Sequence, residues 1–218
     1  MTDAKYSSHN TYRNAGGHEV PSVTTILKIL NKPALQKWAN YLGFKRQNID
    51  DVLSRSSTIG TLFHEAVECY LQNIYWIPIF ENYDEEFTIR QYIDNFITFR
   101  KQHEITPIFM ERSLYSEKFG GTIDFYGIYD GKKTIIDFKT SKAPYSSYFL
   151  QLAAYVIMVE EHGYEVEQVG LICCNTCVKT KFITREEIKP YIEVFNKLVD
   201  FFHLWYDLSI KDGWGKIV

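Results

Sequence analysis

A central mixed β-sheet flanked by helices, an α/β (α+β) fold with a helical N-terminal part, is what this 218-residue sequence predicts. Three observations predict it. Apolar residues recur at helical spacing up to about residue 103, the pattern then shortens to the period of strands, and Asp130-Gly131 marks a hairpin within the strand region. Helices, three strands, a helix, two strands and a last helix fit one sheet covered by helices.

Residues 1–20 read as a flexible arm, and residues 21–218 as a single domain. Its first part, 21–105, is mainly helical, 106–185 supplies the sheet and a helix, and 186–208 a C-terminal helix. Pro21-Ser22 opens a helical stretch through Leu30, and Pro33 starts another that carries Leu35, Trp38 and Leu42, with Gly43 as its stop. Thr58 precedes a helix over 59–73, in which Leu62, Ala66, Cys69 and Tyr70 form a buried stripe. Asp84 caps a longer helix to about residue 103, with Ile89, Ile93, Phe96 and Phe99 inward. Strands follow over 107–115 and through the hairpin. The segment 146–162 returns to helical spacing with Phe149, Leu152, Ala153, Val156 and Ile157 inward, and 166–174 and 180–183 read as strands. Thr184-Arg185-Glu186-Glu187 has the capping-box pattern, in which Thr and Glu side chains satisfy each other's backbone donors, and opens the last helix.

Apolar content of 45% and charged content of 23% are those of an ordinary globular protein long enough to bury a substantial core. The net charge of −3 argues against a protein that coats nucleic acid through bulk charge, so a phosphate-binding surface has to be local. Residues 1–13 are polar, and no apolar run approaches the roughly 20 residues that span a bilayer. The expectation is no membrane and an intracellular, cytoplasmic location. Cys69, Cys173, Cys174 and Cys177 fit neither paired CxxC units nor a ferredoxin run, and read as buried thiols.

The hairpin carries the chemistry. Gly121-Thr122-Ile123-Asp124 leads in, Asp130-Gly131 is the two-residue loop, and Ile136-Asp137-Phe138-Lys139 leads out. With those two residues at the turn, cross-strand partners have numbers adding to 261, which sets Asp124 opposite Asp137. Like charges facing each other are destabilising. The pair therefore requires a shared proton, a nearby basic group or a bound cation, and relieving it by substitution should raise stability in the absence of metal. Side chains alternate along a strand, so Lys139 joins Asp137 on one face. Elsewhere, Gly60 allows close backbone approach one turn before His64, and Gln151 and Tyr155 share a helix face.

The ordered set Gly60 to His64 (Gly-x-x-x-His), Gly121 to Asp124 (Gly-x-x-Asp), Asp137 to Lys139 (Asp-x-Lys) and Gln151 to Tyr155 (Gln-x-x-x-Tyr) resembles the RecB-like branch of the PD-(D/E)XK nuclease superfamily. The segment Pro21-Ser22-Val23-Thr24-Thr25-Ile26-Leu27 and the Trp38 region are similar to viral and mitochondrial single-strand DNA exonucleases of that branch. The likeness spans roughly residues 20–160; Ile123 stands where the superfamily name has proline.

The resemblance implies a restriction-endonuclease-like core and Mg²⁺- or Mn²⁺-assisted phosphodiester hydrolysis, most simply by an exonuclease on single-stranded or free DNA ends. An endonuclease on the same site and a catalytically silent binding module are the alternatives. It also implies roles. His64, Asp124, Asp137 and the Phe138 carbonyl would bind the metal, Lys139 would position water or stabilise charge, and Gln151 would orient Lys139. Tyr155 would contact nucleic acid or brace its helix, and Glu111 would stand behind the ligands, hold a second ion, or merely pair with Arg112 or Lys118. No iron–sulfur cluster is expected. Lys28, Lys32, Lys37, Lys45, Arg46, Arg55 and Lys142 are the candidate DNA contacts. Replication or recombination proteins are candidate partners, and a phage genome is a natural source for such a chain.

Overall fold

Asp130 and Gly131 both take positive φ, 47° and 80°, as a two-residue hairpin loop demands. They join β4 (Gly120–Tyr129) to β5 (Lys132–Lys139) in the predicted register, from Tyr129 opposite Lys132 to Phe125 opposite Ile136. This is a computed structural model, which describes residues 12–30 and 33–211.

The hairpin lies within a five-stranded sheet of order β3-β4-β5-β6-β7, with β3 at Ile105–Tyr115, β6 at Gln168–Cys174 and β7 at Val178–Thr184. Neighbours are antiparallel except β5 and β6, which run parallel and are joined through α5 (Tyr148–Glu161). Parallel strands need such a crossover. One face of the sheet is covered by α3 (Ile49–Leu71) and α4 (Tyr83–Arg100), in a core containing Phe63, Phe96, Phe125 and Phe138. The other face is covered by α1 (Val23–Leu27), α5 and α6 (Lys189–Lys211), around Ile123, Leu152, Phe195 and Phe202. A 12-residue α2 (Pro33–Phe44) precedes α3.

Several boundaries differ from the sequence reading. Residues 12–20, assigned to the arm, form a small hairpin of β1 (Tyr12–Arg13) and β2 (Glu19–Val20), tied to the sheet by a Tyr12 hydroxyl to Thr122 Oγ1 bond of 3.0 Å. Residues 1–11 and Lys32 lie outside the described residues. The first helix is only five residues long, capped by Ser22, whose Oγ accepts from the Thr25 N–H. The third begins at Ile49, ten residues earlier than the expected start at 59, with Asn48 as cap. Cys173 and Cys174 are buried in β6, but Cys177 is exposed and Cys69 half-buried, so the thiols are not uniformly core.

Candidate active site

Extending both registers by one residue puts Glu111, Asp124 and Asp137 in a single row across β3, β4 and β5. Regular pairing fails at this row. The β3–β4 ladder passes from Met110 opposite Phe125 to Arg112 opposite Ile123 without pairing Glu111 and Asp124, and the β4–β5 ladder stops at Phe125 and Ile136. Glu111 takes φ 43° in mid-strand, a left-handed conformation uncommon for a side-chain-bearing residue and typical of strained functional positions. Ile123 and Phe125, two apart, should share a face, yet they lie in opposite cores; so do Met110 and Leu114. The strands thus reverse faces at the carboxylates. Beyond the row β4 and β5 separate, and Asp124 Oδ2 accepts the Phe138 main-chain N–H at 2.9 Å.

His64 reaches the break from α3. Its Nε2 lies 2.9 Å from the Phe138 carbonyl, and its Nδ1 is 3.3 Å from Glu111 Oε1 and 3.6 Å from Asp124 Oδ2. Burial works against a charged imidazole here, but the Asp124 charge and then the Glu111 hydrogen bond and charge outweigh it, raising the pKa to about 9. Both ring nitrogens therefore carry protons, donating to the Phe138 carbonyl and to Glu111. Ligand atoms of His64, Glu111 and Asp124 all lie within 4.8 Å of one another.

Asp137 and Lys139 come from the α5 side. The Lys139 ammonium donates to Asp137 Oδ1 at 2.8 Å and to Gln151 Oε1 at 3.2 Å, and lies 5.3 Å from the Tyr148 ring centre. Gln151 Nε2 in turn donates to the Tyr155 hydroxyl at 2.6 Å. Burial lowers the Lys139 pKa, but Asp137 and Asp124 reverse that and hold it above the ordinary lysine value. Asp137 is wholly buried. Burial raises its pKa, the Lys139 charge opposes, and Asp124 raises it again. Its Oδ2 is enclosed and has no hydrogen-bond partner among the described residues.

No protein-family description and no curated protein matches the sequence. Among solved structures, the chain is similar to a phage related exonuclease from Haemophilus somnus 129PT, with a TM-score of 0.43 and 13% identity over 89% of this chain and 96% of that one. It is also similar to LHK-Exo in complex with dAMP, with a TM-score of 0.35 and 11% identity over 70% of this chain and 84% of the other. The chemistry has to be argued from the site itself.

A buried carboxylate oxygen without a partner is costly, and a cation is one remedy. The donor set at the break, carboxylates with one imidazole, suits a hard or borderline divalent ion. His64, Glu111 and Asp124 are the residues whose atoms already converge, with Asp137 beside them and the Phe138 carbonyl held by His64. Glu111 thus belongs to the closest cluster rather than behind it, and it pairs with neither basic neighbour: Arg112 donates to the Tyr164 hydroxyl and Lys118 to Asp200. Tyr155 is buried, which places it as a brace for Gln151. Beyond its own helix, a Cβ at Gly60 would meet no atom of the described residues within 4 Å, so the expected close approach of another backbone is not seen among them.

Proposed function

We propose that this protein is a divalent-metal-dependent nuclease that hydrolyses phosphodiester bonds, acting as an exonuclease on single-stranded DNA ends in replication, recombination or repair. The observation that carries the reading is the unpartnered Asp137 Oδ2 beside the His64–Glu111–Asp124 cluster, with a charged lysine on its other oxygen. A structural ion pair would have no need of the free oxygen or of the broken sheet.

Glu111, Asp124, Asp137 and, once its Nδ1 proton is displaced, His64 would hold Mg²⁺ or Mn²⁺, which would supply Lewis-acid polarisation of the phosphoryl oxygen and lower the pKa of bound water. Lys139 acts as a cation: its pKa is raised, so it is a poor base and is suited to stabilise the charge that develops on the phosphoryl oxygens. Gln151, clamped by Tyr155, fixes the ammonium so that little reorganisation is needed. Asp124 has a double duty, holding Phe138 in place while presenting its charge to the cluster.

End-labelled single- and double-stranded DNA incubated with Mg²⁺, Mn²⁺ or chelator tests this. Metal-dependent loss of single-stranded ends, with closed single-stranded circles left intact, is the expected result. Cleavage of circles would make it an endonuclease, and failure to cleave any DNA or RNA with either ion would remove the enzyme reading.

A further inference from the structure

The carboxylate row does not stop at β5. Asp137 is paired with Leu171 of β6, and Leu171 with Lys181 of β7; one step on, Lys139 is paired with Cys173, and Cys173 with Lys179. Lateral partners project to the same side of a sheet, so Lys179 and Lys181 stand on the α5 face with Lys139, two strand spacings or about 10 Å away. Both are exposed, as is Lys142 in the loop after β5. Lys179 and Lys142 have no ion-pair partner among the described residues. The acid whose charge acts on Lys181, Glu187, already accepts from Thr184 N–H and Oγ1 at 2.7 and 2.8 Å.

Aromatic rings lie between these cations. The first turn of α5 carries Tyr148 against Lys139 and Phe149 under Lys181, 5.9 Å from ring centre to Nζ. Tyr145, 52% exposed, packs edge-on against Tyr148 with ring centres 5.6 Å apart. The exposed Tyr145 ring and the half-buried Tyr148 lie beside these cations, with the buried Phe149 beneath Lys181, and such a surface suits a single strand, phosphates on the lysines and a base on Tyr145. This surface begins at the catalytic lysine and leads to the sheet edge. The helix-borne cations at the other end of the chain lack such continuity; Arg55 is beside Asp84, for example.

Resting on the nuclease reading above, we propose that Lys179 and Lys181 of the edge strand, with Tyr145, form the track that carries the single-stranded substrate into the site. Phosphates flanking the scissile one lie on the two lysines, and a base stacks on Tyr145. The track is independent of base identity, since nothing in it reads base edges.

The test uses binding of a short 5′-fluorescein-labelled oligothymidylate by the full chain in Ca²⁺, read by anisotropy over a salt series, together with steady-state cleavage in Mg²⁺. In Lys179→Gln/Lys181→Gln the slope of log K against log salt should fall by about 1.4, at roughly 0.7 per lysine for single strands. KM should rise about tenfold with kcat nearly kept, because the residues bind and do not react. Tyr145→Ala should weaken binding about tenfold with an unchanged salt slope. Lys179→Arg/Lys181→Arg should restore both parameters, which a merely folding-defective Gln variant could not explain. Lys132→Gln, at the hairpin tip about 23 Å away along β5, is the control. A slope and KM equal to wild type in the Gln variant overturn the track. A wild type that cleaves nothing but binds the oligonucleotide with a slope dependent on these lysines would sink the nuclease reading and keep the track; one that binds no oligonucleotide would sink the track.

Discussion

The Asp124 carboxylate and the Phe138 amide are bonded across the split between β4 and β5, a side chain filling the place of a ladder bond at 2.9 Å. Structure and chemistry are joined in that residue. Asp124→Ala leaves a buried N–H without an acceptor, a loss of about 1–3 kcal/mol; for a chain of this size each kcal/mol is roughly 2–4 °C in Tm. Asp124→Asn still offers an oxygen to Phe138 and should melt near wild type. Both should lose metal-dependent cleavage by several orders of magnitude. Thermal unfolding in chelator separates them, and an Ala variant that melts higher than wild type would mean that the like-charge repulsion expected from the hairpin outweighs the bond.

Lys139 and Asp137 should respond to substitution with opposite signs. Removing the ammonium in Lys139→Ala strands a wholly buried carboxylate, and breaking a buried pair from one side costs about 3–5 kcal/mol. Asp137→Asn removes the desolvation that raises the carboxyl pKa and keeps an oxygen for Lys139, so its Tm in chelator should equal or exceed that of wild type. Activity should vanish in both, since one loses transition-state charge and the other a ligand. Equal Tm losses would show that the pair is only a structural clamp.

At the hairpin tip, burial acts to raise the Asp130 pKa, but the His103 hydrogen bond, the Glu104 N–H and the His103 charge together lower it. A depressed carboxyl stabilises the fold above its unfolded pKa, near 3.9, and that contribution is lost as pH falls through the lower folded value. Asp130→Asn fits the φ of 47° and keeps the Glu104 bond, while the charge and the oxygen facing His103 are removed. The group is largely solvent-screened, so the loss at pH 7 should be about 1 kcal/mol or less. Wild-type and variant unfolding curves should converge as the pH falls below about 5 and on through the lowered folded value; a gap that widens there would contradict the sign.

What could be read from the sequence follows physical locality. A two-residue turn fixes register, so the ladder from Tyr129–Lys132 to Phe125–Ile136 was legible from Asp130-Gly131 alone, whereas the break that leaves Asp124 and Asp137 unpaired one step further on was not. Helix α3 was half legible: residues 50, 51 and 53–57 are exposed, so its first turns carry no apolar stripe and are set by the Asn48 cap and by Asp50 and Asp51 in the first turn. Glu111 was reached only through the family resemblance, and its place beside His64 and Asp124 was not readable, because it depends on a strand reversing faces through a left-handed residue and nothing in Met-Glu-Arg announces that. An alternation that puts Met110 and Leu114 in one core is the natural reading, and it is wrong for this strand. The lysines of β7 were equally hidden, since their alignment with Lys139 passes through two ladders formed by distant segments.

Glu111 offers the sharpest separation of backbone from side chain. Its φ of 43° costs an L-residue about 1–2 kcal/mol, which glycine avoids. Glu111→Ala and Glu111→Gly both remove the carboxylate bonded to His64, so the Gly variant should melt higher than the Ala variant by roughly 2–8 °C in chelator. Saturating Mn²⁺, at about 100 times Kd, should raise the wild-type Tm by roughly 5–10 °C. That rise should shrink equally in both variants, because the ligand is absent from each whatever the backbone does. A Mn²⁺ shift preserved in both would place the ion away from Glu111, and equal melting of the two in chelator would mean that the strand relaxes out of its left-handed turn once the carboxylate is gone.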